Sequence, residues 1–341
     1  MVWKLFIWPN SVHKFKWSKI WLFRDKIWRT ARKCLGPLLF LLYINDIGYI
    51  PNLDYKPKLF ADDTNVFVSG TNLNDLRCKG QVVLNKLSDW MLANKLTINY
   101  DKTHYMIFTP SHHADPNLQL DLFINSNQIS KVSTIKYLGV HLDESLSGKS
   151  HIYELCLCLR KFIGIFYKLS LKLPPHTLKI LYFSFIYPHI LYGIEVYANT
   201  YLTYLHDLIV LNNRILRILQ RKKFNCNTNE LYRSYNTLPI DKLFHFQILQ
   251  HAHTLLFNPS SLPNFFQANC QTNNSIHSHY TRSTQDFHRF SCFSSFGRRL
   301  SFNLCAKLWN SLPLNIKSLI STNLFKRDVR KFLSIDAICS V

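Results

Sequence analysis

The chain has 341 residues, enough at the usual roughly 100–200 residues per domain for two or three packed units, which excludes a single small module. Hydrophobic residues make up 47% and charged residues 18%, a balance that excludes a fully disordered chain. No stretch approaches the roughly 20 apolar residues of a spanning helix, so no membrane protein is expected. Lys and Arg number 41 against 20 Asp and Glu, a formal net charge of +21 that suits a polyanionic partner, either nucleic acid or an anionic membrane face. With 9 Gly there is neither a Gly-x-Gly-x-x-Gly cradle nor a complete P-loop, since Asp143 stands where the first glycine of Gly148-Lys149-Ser150 would have to be. The 9 Cys are odd in number and hold no Cys-x-x-Cys, so neither a disulfide framework nor a zinc ribbon is legible. A reducing intracellular compartment, nuclear or cytoplasmic, is expected rather than secretion.

Residues 1–33 hold nine basic residues, the single acid Asp25 and five of the seven Trp, without clear periodicity. They read as a basic, Trp-rich segment foreign to the fold that follows, or as an arm lying on a membrane surface. From Leu35-Gly36-Pro37 an apolar run over 38–44 predicts a buried helix, closed by Asn45-Asp46. Strands are expected at 58–60 and 64–68, hinged on Ala61-Asp62-Asp63. Leu76, Val83, Leu87, Trp90 and Met91 recur at helical spacing after Asn72, a plausible cap, and predict a helix to about residue 94. Further strands are expected at 103–108 and 135–140, so that 34–145 forms one mixed unit of helix and sheet. Residues 146–223 read as helical. Arg214, Arg217 and Arg221 recur three and four apart on one helix face, with Lys222 and Lys223 following. They are either a phosphate-binding stripe or an ordinary solvated face. Residues 224–341 form a basic tail with weak patterning over 224–290 and a helical pair at about 297–309 and 321–333. Cys270, His277, His279, His288 and Cys292 cluster there, in a spacing that matches no zinc finger.

Two adjacent acids at the tip of an apolar hairpin repel one another, and a divalent cation is the common remedy, although turns also carry Asp for backbone reasons. Asp62-Asp63 is that pair. Phe60-Ala61-Asp62-Asp63, preceded by Leu35-Gly36-Pro37-Leu38-Leu39-Phe40-Leu41-Leu42-Tyr43-Ile44-Asn45-Asp46, resembles the palm of reverse transcriptases from non-LTR, jockey-like retrotransposons. The resemblance continues in order through Trp90, Asn94-Lys95-Leu96, Asn99-Tyr100-Asp101-Lys102-Thr103 and Lys136-Tyr137-Leu138-Gly139-Val140. It extends to Tyr187-Pro188-His189-Ile190-Leu191-Tyr192-Gly193 and Leu308-Trp309-Asn310-Ser311-Leu312-Pro313.

The resemblance implies an α+β fold: a partial palm, an antiparallel sheet with packed helices, followed by a mainly helical thumb and C-terminal region. It implies RNA-directed DNA polymerase activity by in-line phosphoryl transfer on two Mg²⁺ or Mn²⁺ ions, with an RNA template, a DNA primer and deoxynucleotides as partners. By the same resemblance, Asp62 and Asp63 are the metal-binding carboxylates, Lys102 steadies or protonates the pyrophosphate, and Lys136, Tyr137, Leu138 and Gly139 form the primer-grip strand. Two departures stand against activity. The family's further metal-binding Asp lies well upstream on a strand, whereas the only acid before Leu35 is Asp25. The family's Pro-Gln-Gly-Ser before Leu-Gly-Pro is replaced by Thr30-Ala31-Arg32-Lys33-Cys34. The expectation is therefore a C-terminal fragment of such an enzyme, catalytically incomplete alone. The alternative is a non-catalytic nucleic-acid-binding fragment that uses Arg214, Arg217, Arg221, Lys222 and Lys223 on phosphates.

Overall fold

The computed structural model describes residues 3–8, 26–50, 55, 57–61, 63–108, 118–276, 286–292 and 294–334. The fold is α+β, and the chain packs into two compact units. One comprises Met1–Tyr137 and Leu142–Leu146, the other Leu138–His141 and Ser147–Val341.

The first unit contains β1 (Trp3–Trp8), α1 (Lys26–Ile44), β2 (Lys58–Phe60), β3 (Asp63–Gly70), α2 (Leu73–Ala93), β4 (His104–Phe108), β5 (Phe123–Ile124), β6 (Asn127–Gln128) and β7 (Ser130–Lys131). A five-stranded sheet has the order β2-β3-β1-β4-β7. Its pairs are antiparallel except β4 with β7, which is parallel. The helix expected after Asn72 is present, and the Asn72 side chain accepts the Asp75 N–H at 2.8 Å, satisfying one of the helix's open donors. α2 lays Leu76, Val83, Leu84, Leu87 and Met91 against Val66 and Val68 of β3 and Tyr105 and Ile107 of β4. Met106, between the last two, points to the opposite face towards Ile135 and Tyr137, as strand alternation requires.

Two expectations are corrected here. Residues 1–33 are not wholly foreign to the fold: β1 is the middle strand, pairing with β3 (Phe6 opposite Phe67) and with β4 (Phe6 opposite Met106). A six-residue, nearly unbroken apolar run shows no alternation, so period-two patterning does not reveal it as a strand. The apolar run at 38–44 is helical but not buried. α1 starts at Lys26, and Leu35, Leu38, Leu39, Leu41, Leu42 and Tyr43 are exposed, Leu42 to 66%. Phe40, Ile44 and the following Ile47, three to four residues apart, reach the core.

The chain continues through β8 (Thr134–Tyr137) and β9 (Val140–Asp143), which pair as a two-stranded sheet. The strand expected over 135–140 is therefore broken at Leu138 and Gly139, whose φ values of +45° and +84° make a turn. The second unit is helical among its described residues: α3 (Lys149–Lys172), α4 (Pro175–Leu181), a π-helical turn (Tyr182–Ile186), α5 (Tyr187–Leu191), α6 (Ile194–Tyr197), α7 (Leu202–Leu219), α8 (Thr228–Tyr235), α9 (Ile240–Phe257), α10 (Asn264–Asn269), α11 (Asn273–Ile276), α12 (Ser295–Arg299), α13 (Ser301–Asn310), α14 (Leu314–Lys317) and α15 (Thr322–Ser334). α3 and α7 pack along each other, whereas α9 lies in the core against α13 and α15. The weak patterning expected over 224–290 hides this last helix. Ile240, Leu243, Phe244, Phe246, Ile248, Leu249, Ala252 and Leu255 are all buried, so α9 has no polar face to create a period. Among the described residues no helix is long and apolar enough to cross a membrane.

Candidate active site

The acidic hairpin forms where its sequence places it. β2 and β3 pair with Lys58 opposite Asn65, Leu59 opposite Thr64 and Phe60 opposite Asp63, leaving a two-residue tip. Such tips need left-handed backbone, and Ala61 has φ +51°. Asp62 lies outside the described residues. Asp63 is the first residue of β3 and is half-buried. Alternation along β3 puts Thr64, Val66 and Val68 towards α2, and Asp63, Asn65 and Phe67 on the other face. Tyr137, at the end of β8, lies within electrostatic reach of Asp63. Burial, and then the Asp63 charge, push its hydroxyl pKa above the usual tyrosine value.

Of the four residues assigned to a primer grip, Tyr137 thus feels the charge of the acidic hairpin, and Lys136 is exposed. Leu138 and Gly139 form the turn and pack within the second unit instead. The Tyr192 hydroxyl donates to the Leu138 carbonyl at 2.6 Å, and a Cβ on Gly139 would come within 3.0 Å of the Tyr192 ring. Gly193, at φ +67°, approaches Val140 so closely that its own Cβ would stand 2.7 Å from Val140 Cγ2. Two motifs that the sequence offered separately, Tyr137-Leu138-Gly139-Val140 and Tyr192-Gly193, meet here because each glycine leaves room for the other's neighbour.

Lys102 ends a short 3-10 turn, Tyr100–Lys102, and is exposed. The preceding motif residues build local turns. The Asn99 side chain accepts the Lys102 N–H at 3.3 Å, and Asn94 Nδ2 donates to the Trp90 carbonyl at 2.9 Å, closing α2. The Tyr43 hydroxyl of α1 donates to the Asn94 carbonyl. Sequence reasoning missed two further residues. Thr64 and Asn65, which follow Asp63 on β3, are fully buried, and Thr64 Oγ1 and Asn65 Oδ1 have no hydrogen-bond partner among the described residues. Polar side chains in that position are costly unless something pairs with them, and their signal was a Thr-Asn pair interrupting an apolar strand.

The basic stripe of α7 is not one free face. Arg221 has φ +54° beyond the helix end, and its guanidinium is taken up by two carbonyls, Nε on Ser170 at 2.6 Å and a terminal nitrogen on Leu173 at 2.7 Å. It thereby caps α3, whose last carbonyls lack intrahelical donors. Lys222 pairs with Glu230 at 2.8 Å, and the Arg217 guanidinium lies 5.3 Å from the centre of the Phe224 ring. Arg214 and Lys223 are exposed. The described members of the cysteine and histidine cluster do not come together either. The Cys270 thiol interacts with Cys305, Cys292 Sγ accepts from Asn303 Nδ2 at 2.9 Å, and His288 Nδ1 lies 3.3 Å from Asn273 Oδ1. His277 and His279 lie outside the described residues. Among the described residues no group of three His, Cys, Asp or Glu could hold a metal ion.

Residues 34–142, which include the acid-bearing hairpin, match the reverse transcriptase (RNA-dependent DNA polymerase) family. That stretch is similar to part of a reverse-transcriptase domain. Its relatives come from non-LTR transposons. The chain is 27% identical over 213 residues to the "RNA-directed DNA polymerase from mobile element jockey" of Drosophila funebris, covering 58% of this chain and 22% of that protein. It is 24% identical over 206 residues to the "Probable RNA-directed DNA polymerase from transposon X-element" of Drosophila melanogaster, with the same coverage of 58% and 22%. It is 23% identical over 211 residues to the Drosophila melanogaster jockey polymerase, again over 58% and 22%. The chain thus spans about a fifth of the length of the curated relatives it matches.

Proposed function

We propose that residues 34–145 form part of the palm of a non-LTR reverse transcriptase, a template-directed DNA polymerase that takes an RNA template, a DNA primer and deoxynucleotides. In this reading Asp62 and Asp63 face the divalent metal, Tyr137 and its neighbours hold the primer end, and Lys102 meets the departing pyrophosphate. The observation that carries it is Asp63 at the head of a paired hairpin, with Tyr137 within its electrostatic reach, inside the segment matching the family.

The residues present do not fit a complete two-ion centre. The family's additional carboxylate belongs on a palm strand. The strand that pairs with β3 on the side away from β2 is β1, whose residues Trp3-Lys4-Leu5-Phe6-Ile7-Trp8 contain no acid, and β4 beyond it contains none. No catalytic step is therefore derived through a metal, and the chain by itself is expected to lack polymerase activity. The Asp62-Asp63 pair remains able to attract Mg²⁺ or Mn²⁺ weakly.

Primer extension on a primed RNA template with Mg²⁺ and all four deoxynucleotides tests this. The unmodified chain should give no product above background. A chimera with residues 1–33 replaced by the corresponding palm segment of a jockey-type polymerase, acidic strand included, should synthesise DNA. Asp62→Ala in the chimera should then lower the rate by about a thousandfold or more, as loss of a metal ligand does. Robust extension by the unmodified chain overturns the incompleteness, and a chimera indifferent to Asp62→Ala overturns the site.

A further inference from the structure

The second unit contains a cleft that neither the polymerase motifs nor the α7 stripe touches. It is a cavity of about 440 Å³ between α8, the turn joining α8 to α9, and α15. Six cations line it, Arg233, Lys242, Lys326, Arg327, Arg330 and Lys331, and no carboxylate does. Its construction follows from helix periodicity. α15 buries Phe325, Val329 and Leu333, each four residues from the next, which leaves the successive pairs 326 and 327, 330 and 331 on its other side. α8 buries Leu231, Tyr232 and Tyr235 and ends at Asn236, whose φ of +52° turns the chain along the floor of the cleft into α9.

Like charges brought together around a concavity repel, and no carboxylate stands in the lining itself. Asp328 serves two of the six, 2.9 Å from Arg327 Nε and 4.0 Å from Lys331 Nζ, both exposed pairs of small energetic weight. The Arg330 guanidinium is held over the Phe246 ring at 5.2 Å, which orients it without neutralising it. The field reaches the surroundings: half-buried Tyr187 feels Arg330, and His253 feels Lys326.

We propose that this cleft binds single-stranded nucleic acid through its phosphates. A polyanion releases counterions when it meets such a cluster, and a concave site admits a strand where a flat bilayer surface cannot enter. Asn229, Asn236 and Asn323 also line the cleft, offering donors and acceptors suited to sugars and base edges. The site uses no residue of the palm, so it stands or falls independently of the polymerase reading.

The test uses the full chain and a short fluorescent oligouridine, with anisotropy followed as salt is raised. Replacing Arg233→Gln, Lys326→Gln and Lys331→Gln together should weaken binding about tenfold or more near 0.1 M salt and flatten the slope of log affinity against log salt by about two to three. A control with the same charge change on exposed residues of α3, Arg160→Gln, Lys161→Gln and Lys168→Gln, should change affinity by less than about threefold. All six residues are at least partly exposed, and equal thermal melting of both variants will show that folding is kept. Equal loss in both variants overturns the cleft in favour of diffuse charge. Displacement of the oligonucleotide by inorganic triphosphate at equal concentration overturns the strand in favour of a free phosphate compound. Binding to phosphatidylserine vesicles that the cleft substitutions abolish, with oligonucleotide affinity unchanged, overturns it in favour of a lipid surface.

Discussion

The two units reveal themselves in the sequence to different degrees because their elements differ in how many sides meet water. In the first, α2 has one apolar face and one wet face, and the β2–β3 hairpin is closed by a tip two residues long, so periodicity and local turn chemistry describe both. In the second, α9 is buried nearly all round and carries no period, although it is the element on which α13 and α15 pack. The polymerase motifs sit on the legible kind of structure. The helices that stabilise the second unit, and the basic cleft they build, belong to the other kind. A helix that matters most to the core can thus be the least visible in the sequence, since burial on every side removes the contrast that pattern reading uses.

The largest expected effect tests that inversion. Phe325 is fully buried, and its ring lies 4.2 Å from His253 of α9 and 5.7 Å from Trp309 of α13, centre to centre. Phe325→Ala should cost about 3–5 kcal/mol in the urea-induced transition of the second unit. A loss below about 1 kcal/mol would mean that α15 is not part of the core of that unit.

A somewhat smaller effect should appear with acid. His151, on α3, is buried against Tyr197 and beside His141, whose backbone N–H donates to His151 Nδ1 at 3.3 Å. Burial first, and then the His141 charge, lower its pKa to about 4 from 6.5. The folded state therefore prefers the neutral ring. The stability this confers is complete above about pH 6.5 and is lost as pH falls towards 4, at a cost of up to about 3 kcal/mol. His245 and His253 are shifted in the same direction by burial and add to the slope. His151→Gln keeps an acceptor and removes the titration, so denaturation midpoints between pH 6.5 and 4 should become flatter; an unchanged slope would assign the acid sensitivity elsewhere.

The smallest effect sharpens the contrast from the other side. Leu42→Ser on α1 removes an apolar side chain that is already 66% exposed, and it should change stability by less than about 0.5 kcal/mol. A loss of 2 kcal/mol or more would show that the apolar face of α1 is covered in solution.

The sequence by itself determined the α+β character, the acidic hairpin hinged around residues 61–63, the helix capped by Asn72, and the resemblance to reverse transcriptases. All of these rest on residues close together along the chain, where periodicity, turn preference and motif spacing act directly. Only the tertiary structure decided that Trp3–Trp8 is the middle strand of the sheet, that this strand sets no acid beside Asp63, and that Tyr137 comes within electrostatic reach of it. It also decided that Arg221 is occupied as a helix cap while Arg233 joins four cations almost a hundred residues away in a common cleft. Strand neighbours, side-chain partners and converging charges are relations between distant segments. They are set by which apolar surfaces find one another when the chain collapses, and no local pattern records that choice.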